Sequence, residues 1–178
     1  KNIKATDVAG LDMLPADFSY RNIDLALDDC KESLQRLAKV LRPLQKEYEH
    51  IFLDCPPNIT LLSENIFQVA DYILVPVIPT TLSVLSLRQL WNFLETTSLG
   101  CSKVLTFFSM AEKRKKLHLE TMQALAGEPT VLATVIPYLA DVERMGVFRQ
   151  PVGAALPGSA AAKAYESLWY EILDRVAA

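Results

Sequence analysis

Five short apolar runs, separated by segments with helical spacing, constrain the fold of this chain more than any other feature. The runs are "LDMLP" (Leu11 to Pro15), "HIFLD" (His50 to Asp54), "DYILVPV", "KVLTFFS" and "TVLATVIP". Apart from the first, they are nearly continuous in apolar residues rather than alternating, as expected of strands covered on both faces. Between them, "KESLQRLAKVLRPL" places Leu34, Leu37, Val40, Leu41 and Leu44 at helical spacing, with Pro43 near its end. "SYRNIDLALDD" is expected to form a short helix capped by Ser19, and "LLSENIFQVA" and "KKLHLETMQALAG" two more. "TTLSVLSLRQLWNFLETTSLG" predicts a long helix stopped by Gly100, and "GSAAAKAYESLWYEILDRV" a final helix with Ser159 at its N-cap. Alternation of this kind predicts an α/β fold: a mostly parallel sheet with helices on both faces.

At 178 residues and 51% hydrophobic, the chain can build one globular core, and no linker or repeat divides it. A single α/β domain over residues 1–178 is therefore expected. No apolar run is long enough to cross a bilayer, and the first residues do not read as a leader. The chain opens on Lys1, so a processed product or part of a longer gene product is expected. A net charge of -3 gives no global reason to bind nucleic acid or membrane, so any such contact needs a local patch. Cys30, Cys55 and Cys101 form no C-x-x-C pair, which disfavours structural zinc and a disulfide framework and fits reduced thiols in the cytoplasm.

"HIFLDCPPNIT" raises the functional question. Ligands of open parallel sheets bind beyond the carboxyl ends of strands, where Asp54 is expected. A solvated or helix-capping acid is one reading. A phospho-accepting aspartate is another, but it needs an acidic pair after an earlier strand, where this chain has Leu14-Pro15. It also needs a lysine closing a later strand, and Lys103 stands at the start of "KVLTFFS". A third reading is a Walker-B-type acid that orients Mg²⁺ or its water beside nucleotide phosphates, with the proline pair stiffening the following loop.

The third reading is joined by a resemblance that covers essentially the whole chain. "YEHIFLDCPPNITLLSENIFQVADYILVPVIPTTLSVLSLRQL" resembles the Walker B, switch II and following strand–helix unit of the ParA/MinD-type deviant-Walker ATPases, most closely the ParA-like partitioning proteins. "FFSMAEKRKKLH", "TVIPYLADVERM", "RQPV" and "PGSAAAKAYESLWYEI" resemble its carboxyl-terminal part, and "LDMLPADFSYRNIDLAL" its segment before Walker B. The resemblance implies a P-loop NTPase-like fold, ATP and Mg²⁺ as cofactors, an ATP-dependent homodimer, and a ParB-like or other activating partner. It places the catalytic and Mg²⁺-orienting acid at Asp54, and switch II at Pro56, Pro57 and Asn58, with Thr60 beside them. Base contacts fall at Ser109 and Met110 and around Ile136, Pro137 and Tyr138, although ordinary packing accounts for Met110 and Tyr138 equally well.

The resemblance further implies binding to non-specific DNA through basic residues near a dimer edge, and hence nucleoid association in the cytoplasm. "EKRKK", Glu112 to Lys116, is the only dense basic run, at a helix start where basic charge is not favoured. Arg114, Lys115, Lys116, Arg144 and Arg149 are the candidates, with Asp141 standing where relatives often carry a basic residue. His50 and His118 receive no catalytic role, and Cys55 reads as a small apolar filler. A membrane anchor is disfavoured, because the last helix has no basic, aromatic face.

The departure from the family is its first motif. K-G-G-x-x-K-[ST] does not occur in these residues, and no two of the six glycines are adjacent. A γ-phosphate needs that cradle and its lysine, so this polypeptide alone is expected to hydrolyse little or no ATP. The alternative reading is a non-catalytic dimerisation or partner-binding module of the same fold. A metabolic relative, such as an amidotransferase-like synthase or an iron–sulfur carrier, finds no supporting motif.

Overall fold

The computed structural model describes residues 2–97 and 99–177; Lys1, Ser98 and Ala178 lie outside them. The chain separates into two compact units, residues 1–70 and 71–178.

The first unit begins with an antiparallel pair, β1 (Lys4–Ala5) and β2 (Asp12–Met13), in register Lys4↔Met13 and Ala5↔Asp12. Its turn is tied by Thr6 Oγ1, which donates to Leu11 O at 2.7 Å, and it passes through Gly10 at φ 78. The run "LDMLP" is thus a strand, but of a hairpin rather than of the parallel sheet. A 3₁₀ turn, Phe18–Asn22, leads into α1 (Ile23–Asp28). Its cap is Asp17, whose Oδ1 accepts the Ser19 N–H at 2.9 Å, so Ser19 is the capped residue and not the cap. The expected helix around Leu34–Leu44 is broken into a 3₁₀ turn (Ser33–Gln35), α2 (Arg36–Leu41) and a second 3₁₀ turn (Leu44–Lys46). Glu32 in a left-handed conformation precedes it and Pro43, which lacks an N–H, follows it. Helix α3 (Leu61–Val69) buries Ile66 and Phe67 and packs against α1 and α2.

Residues His50–Asp54 do not form the expected strand. Among the described residues the ladders are β1–β2 and a three-stranded sheet further on, and residues 51–56 belong to neither. A strand is stabilised by pairing with neighbours, so apolar composition alone does not make one. Outside a ladder, Ile51 and Phe52 remain 37% and 69% exposed.

The second unit holds the parallel sheet. Strands β3 (Ile73–Val77), β4 (Val104–Ala111) and β5 (Val131–Pro137) lie in that order, all parallel. They alternate with α4 (Thr81–Thr96) and α5 (Lys116–Leu125). Three single turns, α6 (Ala140–Glu143), α7 (Met145–Phe148) and α8 (Val152–Ala155), lead to α9 (Ala160–Ala177). Successive strand residues point to opposite faces, and each face meets its own helices. On one face Leu105, Leu132 and Ile136 pack on Leu168 and Ile172 of α9. On the other, Val77 and Phe108 pack on Leu87 of α4 and Leu125 of α5. Helices therefore cover both faces, as the sequence predicts. One stop signal and one start signal also act as expected. Gly100, at φ 74, follows α4 as both it and Leu99 donate to Leu94 O, and Ser159 Oγ caps α9 by accepting the Ala162 N–H at 3.1 Å.

Between Thr106↔Val131 and Phe108↔Val135, two residues of β4 span four of β5. This bulge turns backbone N–H groups away from the ladder. Glu171 of α9 collects two of them, Oε1 accepting from Ala133 at 2.6 Å and Oε2 from Thr134 at 2.8 Å. Burial opposes ionisation of Glu171, but these hydrogen bonds, helped by Arg175, outweigh it and hold the carboxyl below its usual range. A depressed carboxyl pKa stabilises the fold above the unfolded value of 4.5, and the stabilisation is lost as pH falls through the folded pKa. Glu171→Gln is expected to cost about 1–2 kcal/mol at neutral pH, because the site is partly open to water. In urea unfolding, the gap between wild type and variant should shrink at about pH 3; an unchanged gap would reject the charge as its source.

Candidate functional site

Two groups of candidate residues form, one in each unit. In residues 1–70, Asp54, Pro56, Pro57 and Asn58 lie along one exposed loop that ends at the half-buried Thr60. The loop is stitched to α3 by Ser63, which is 1% exposed. Ser63 Oγ accepts the Thr60 N–H at 2.6 Å and faces the carbonyls of Asn58 at 3.0 Å and Thr60 at 2.9 Å. Asp24 Oδ1, from α1, accepts the Leu62 N–H at 2.9 Å and so supplies a carboxylate to the first turn of α3. The exit from the loop is thus fixed by two side chains. Neither is among the sequence candidates. Ser63 follows Thr60 at the spacing of a capping box, whereas the Asp24 contact spans 38 residues and leaves no local signal.

Burial pushes the Cys55 thiol up, and the neighbouring Asp54 charge adds to the effect. A thiol held protonated is a poor nucleophile, in keeping with the filler reading. Asp54 itself keeps its carboxylate exposed. Among the described residues, no group of three or more His, Cys, Asp or Glu could hold a metal ion. One carboxylate fits a hard cation that takes its remaining oxygens from water and phosphate, as Mg²⁺ does.

In residues 71–178 the candidates gather at the carboxyl edge of the sheet. Ala111 pairs with Pro137, and the Tyr138 N–H donates to Ala111 O at 3.0 Å. Ser109 and Met110 therefore stand beside Pro137 and Tyr138, while Ile136 is 1% exposed and serves the core. A second register shift lies between Phe108 and Ala111, and within it Met110 takes φ 54, a conformation uncommon outside glycine. Met110 and Tyr138 are 44% and 47% exposed, so core packing does not account for them. The Tyr138 hydroxyl donates to Glu143 Oε1 at 2.9 Å, and this bond raises the phenol pKa.

The basic candidates follow the same two strands along the chain, Arg114 to Lys116 after β4 and Arg144 and Arg149 after β5. Lys115 pairs with Glu112 at 2.5 Å and Lys116 with Glu120 at 3.6 Å, which offsets the positive charge at the start of α5. Arg114 is exposed, and no ion pair among the described residues engages it. Arg144 lies over the Phe148 ring at 5.1 Å, and Arg149 ends α7 in a left-handed conformation. Lys103 immediately precedes β4, at the amino edge, as expected when the phospho-acceptor reading is set aside. The sequence misses His118, which is buried and accepts the Glu112 N–H.

A family model described as an AAA domain matches residues 1–107, well over half of the chain. The chain belongs to the ParA-like ATPase family. It is 27% identical over 179 residues to the virulence plasmid ParA family protein pGP5-D of Chlamydia psittaci, covering 98% of this chain and 68% of that protein. It is also 27% identical over 178 residues to the sporulation initiation inhibitor protein Soj of Bacillus subtilis, covering 96% and 70%. Against the chromosome partitioning protein ParA of Myxococcus xanthus, identity is 25% over 96% of this chain and 62% of that protein. These ParA-like matches span both units and hence both groups of candidate residues.

Proposed function

We propose that residues 1–178 are the carboxyl-terminal portion of one α/β domain in a ParA-type nucleotide-switch ATPase that partitions DNA or positions cargo. The observation that carries this reading is the Ala111↔Pro137 pairing, which sets Ser109–Met110 beside Pro137–Tyr138 at the carboxyl edge of the sheet. That is where open parallel sheets take their ligands. Exposed apolar and aromatic groups flanked by backbone polar atoms suit an adenine ring.

Asp54 is the residue that would hold Mg²⁺, directly or through water, and Pro56, Pro57 and Asn58 the segment that responds to the γ-phosphate. Mg²⁺ would supply charge neutralisation between phosphate oxygens. ATP held between two copies would favour a dimer, and hydrolysis stimulated by a ParB-like partner would reset it. Exposed Arg114, with Lys115, Lys116, Arg144 and Arg149, would give weak, salt-sensitive contact with DNA phosphates. Among the described residues no helix is long and apolar enough to cross a membrane; the place of action on this reading would be the cytoplasm or the nucleoid.

The second reading, a binding module without catalysis, draws on the lack of K-G-G-x-x-K-[ST] in these residues. One experiment separates the two: Mg²⁺-dependent binding of a fluorescent ATP analogue, with the intact mass taken on the same sample. The expected result is little binding at 19.9 kDa and tight binding by a longer product of the same reading frame that carries the phosphate cradle. Failure of both to bind would reject the nucleotide switch and leave the binding module.

A further inference from the structure

His118 sits at the third position of α5 and is only 4% exposed. A buried imidazole has to be hydrogen-bonded. Its Nδ1 accepts the Glu112 N–H at 3.1 Å, while its own backbone N–H donates to Lys115 O at 3.0 Å. A neutral ring whose Nδ1 accepts carries its proton on Nε2.

The tethered residue lies two positions beyond Met110 at φ 54. A non-glycine residue persists in such a conformation only where its surroundings over-determine it, and such sites concentrate where ligands are held. Two ties fix the chain just after Met110: the Tyr138 N–H on Ala111 O, and His118 on the Glu112 N–H. The first joins the end of β4 to the residue just past β5. The second comes from α5 and sets how the chain leaves β4.

We infer that His118 is a positioning residue for base recognition. Its Nδ1 holds the Met110–Glu112 turn so that Met110 and the backbone beside Tyr138 receive the base of an adenine nucleotide. The assignment rests on the nucleotide reading above.

Two variants of similar polarity test it. In His118→Asn the side-chain oxygen takes the place of Nδ1; in His118→Gln it reaches the place of Nε2 and leaves the Glu112 N–H without its acceptor. Adenosine, which carries no phosphate and so does not need the cradle, is titrated to high concentration into the full chain while the backbone amide resonances of Met110, Ala111 and Tyr138 are followed. Wild type and His118→Asn are expected to shift alike, and His118→Gln to need about tenfold more adenosine or not to respond. Equal responses from wild type and His118→Gln would overturn the role of His118 and leave the base site standing. A wild type that does not respond would overturn the base site, and this assignment with it. Hydrogen exchange of the Glu112 amide provides a readout without ligand. It should be faster in His118→Gln than in His118→Asn, and equal rates would refute the tether.

Discussion

Ile136→Ala is expected to lower the unfolding free energy of the protein by about 2–5 kcal/mol, the range found when a buried isoleucine is cut to alanine. Ile136 is 1% exposed and packs with Leu105, Leu132, Leu168 and Ile172, so truncation removes apolar contacts from β4, β5 and α9 together. The sheet and α9 are close-packed there, and a void of three carbons fills only if a strand moves. Val147 makes the matched control: it is 79% exposed, and Val147→Ala should change stability by less than about 0.5 kcal/mol. Urea unfolding gives both values, and the slope should stay constant if only stability changes. A loss below about 1 kcal/mol at Ile136 would mean that α9 does not close this face of the sheet as described.

The second large effect is expected at Asp54. In protein that binds Mg²⁺–ATP, Asp54→Ala should abolish the Mg²⁺ dependence of binding while leaving metal-free binding nearly unchanged. The carboxylate is exposed at the start of its loop, and among the described residues no group of three or more His, Cys, Asp or Glu could hold a metal ion in its place. If the metal contact contributes about 1.4 kcal/mol, Mg²⁺ tightens wild-type binding tenfold and the variant not at all. The comparison is made by titrating the fluorescent ATP analogue with Mg²⁺ and with a chelator present. Equal Mg²⁺ responses in both proteins would remove Asp54 from the metal site. A uniform loss with and without Mg²⁺ would instead point to damage of the loop that Ser63 anchors.

What could be read from the sequence was whatever neighbouring residues determine. Gly100 and Ser159 act within one turn of a helix, and their roles follow from local chemistry. Strands β3, β4 and β5 are legible because burial on both faces demands apolar residues at every position, whichever strands they pair with. His50–Asp54 has the same composition but no ladder, since pairing is a relation between segments. In the site, Met110 and Tyr138 were found through motif resemblance, and the structure brings them to one edge. The contact of Asp24 of α1 with the start of α3 and that of His118 with Glu112 were not legible, because the partner of each is a backbone N–H. Every residue but proline carries that group, so no sequence pattern marks which one a side chain will choose.

Glu171 has a consequence for how this protein ages in solution. β5 is the last strand of its sheet, and the outermost strand of any sheet offers N–H and C=O groups to an arriving chain. A foreign strand that tried to lengthen the sheet at Ala133 and Thr134 would first have to evict a carboxylate already seated on both N–H groups. The glutamate thereby occupies two of the N–H groups that this edge of the sheet would otherwise offer.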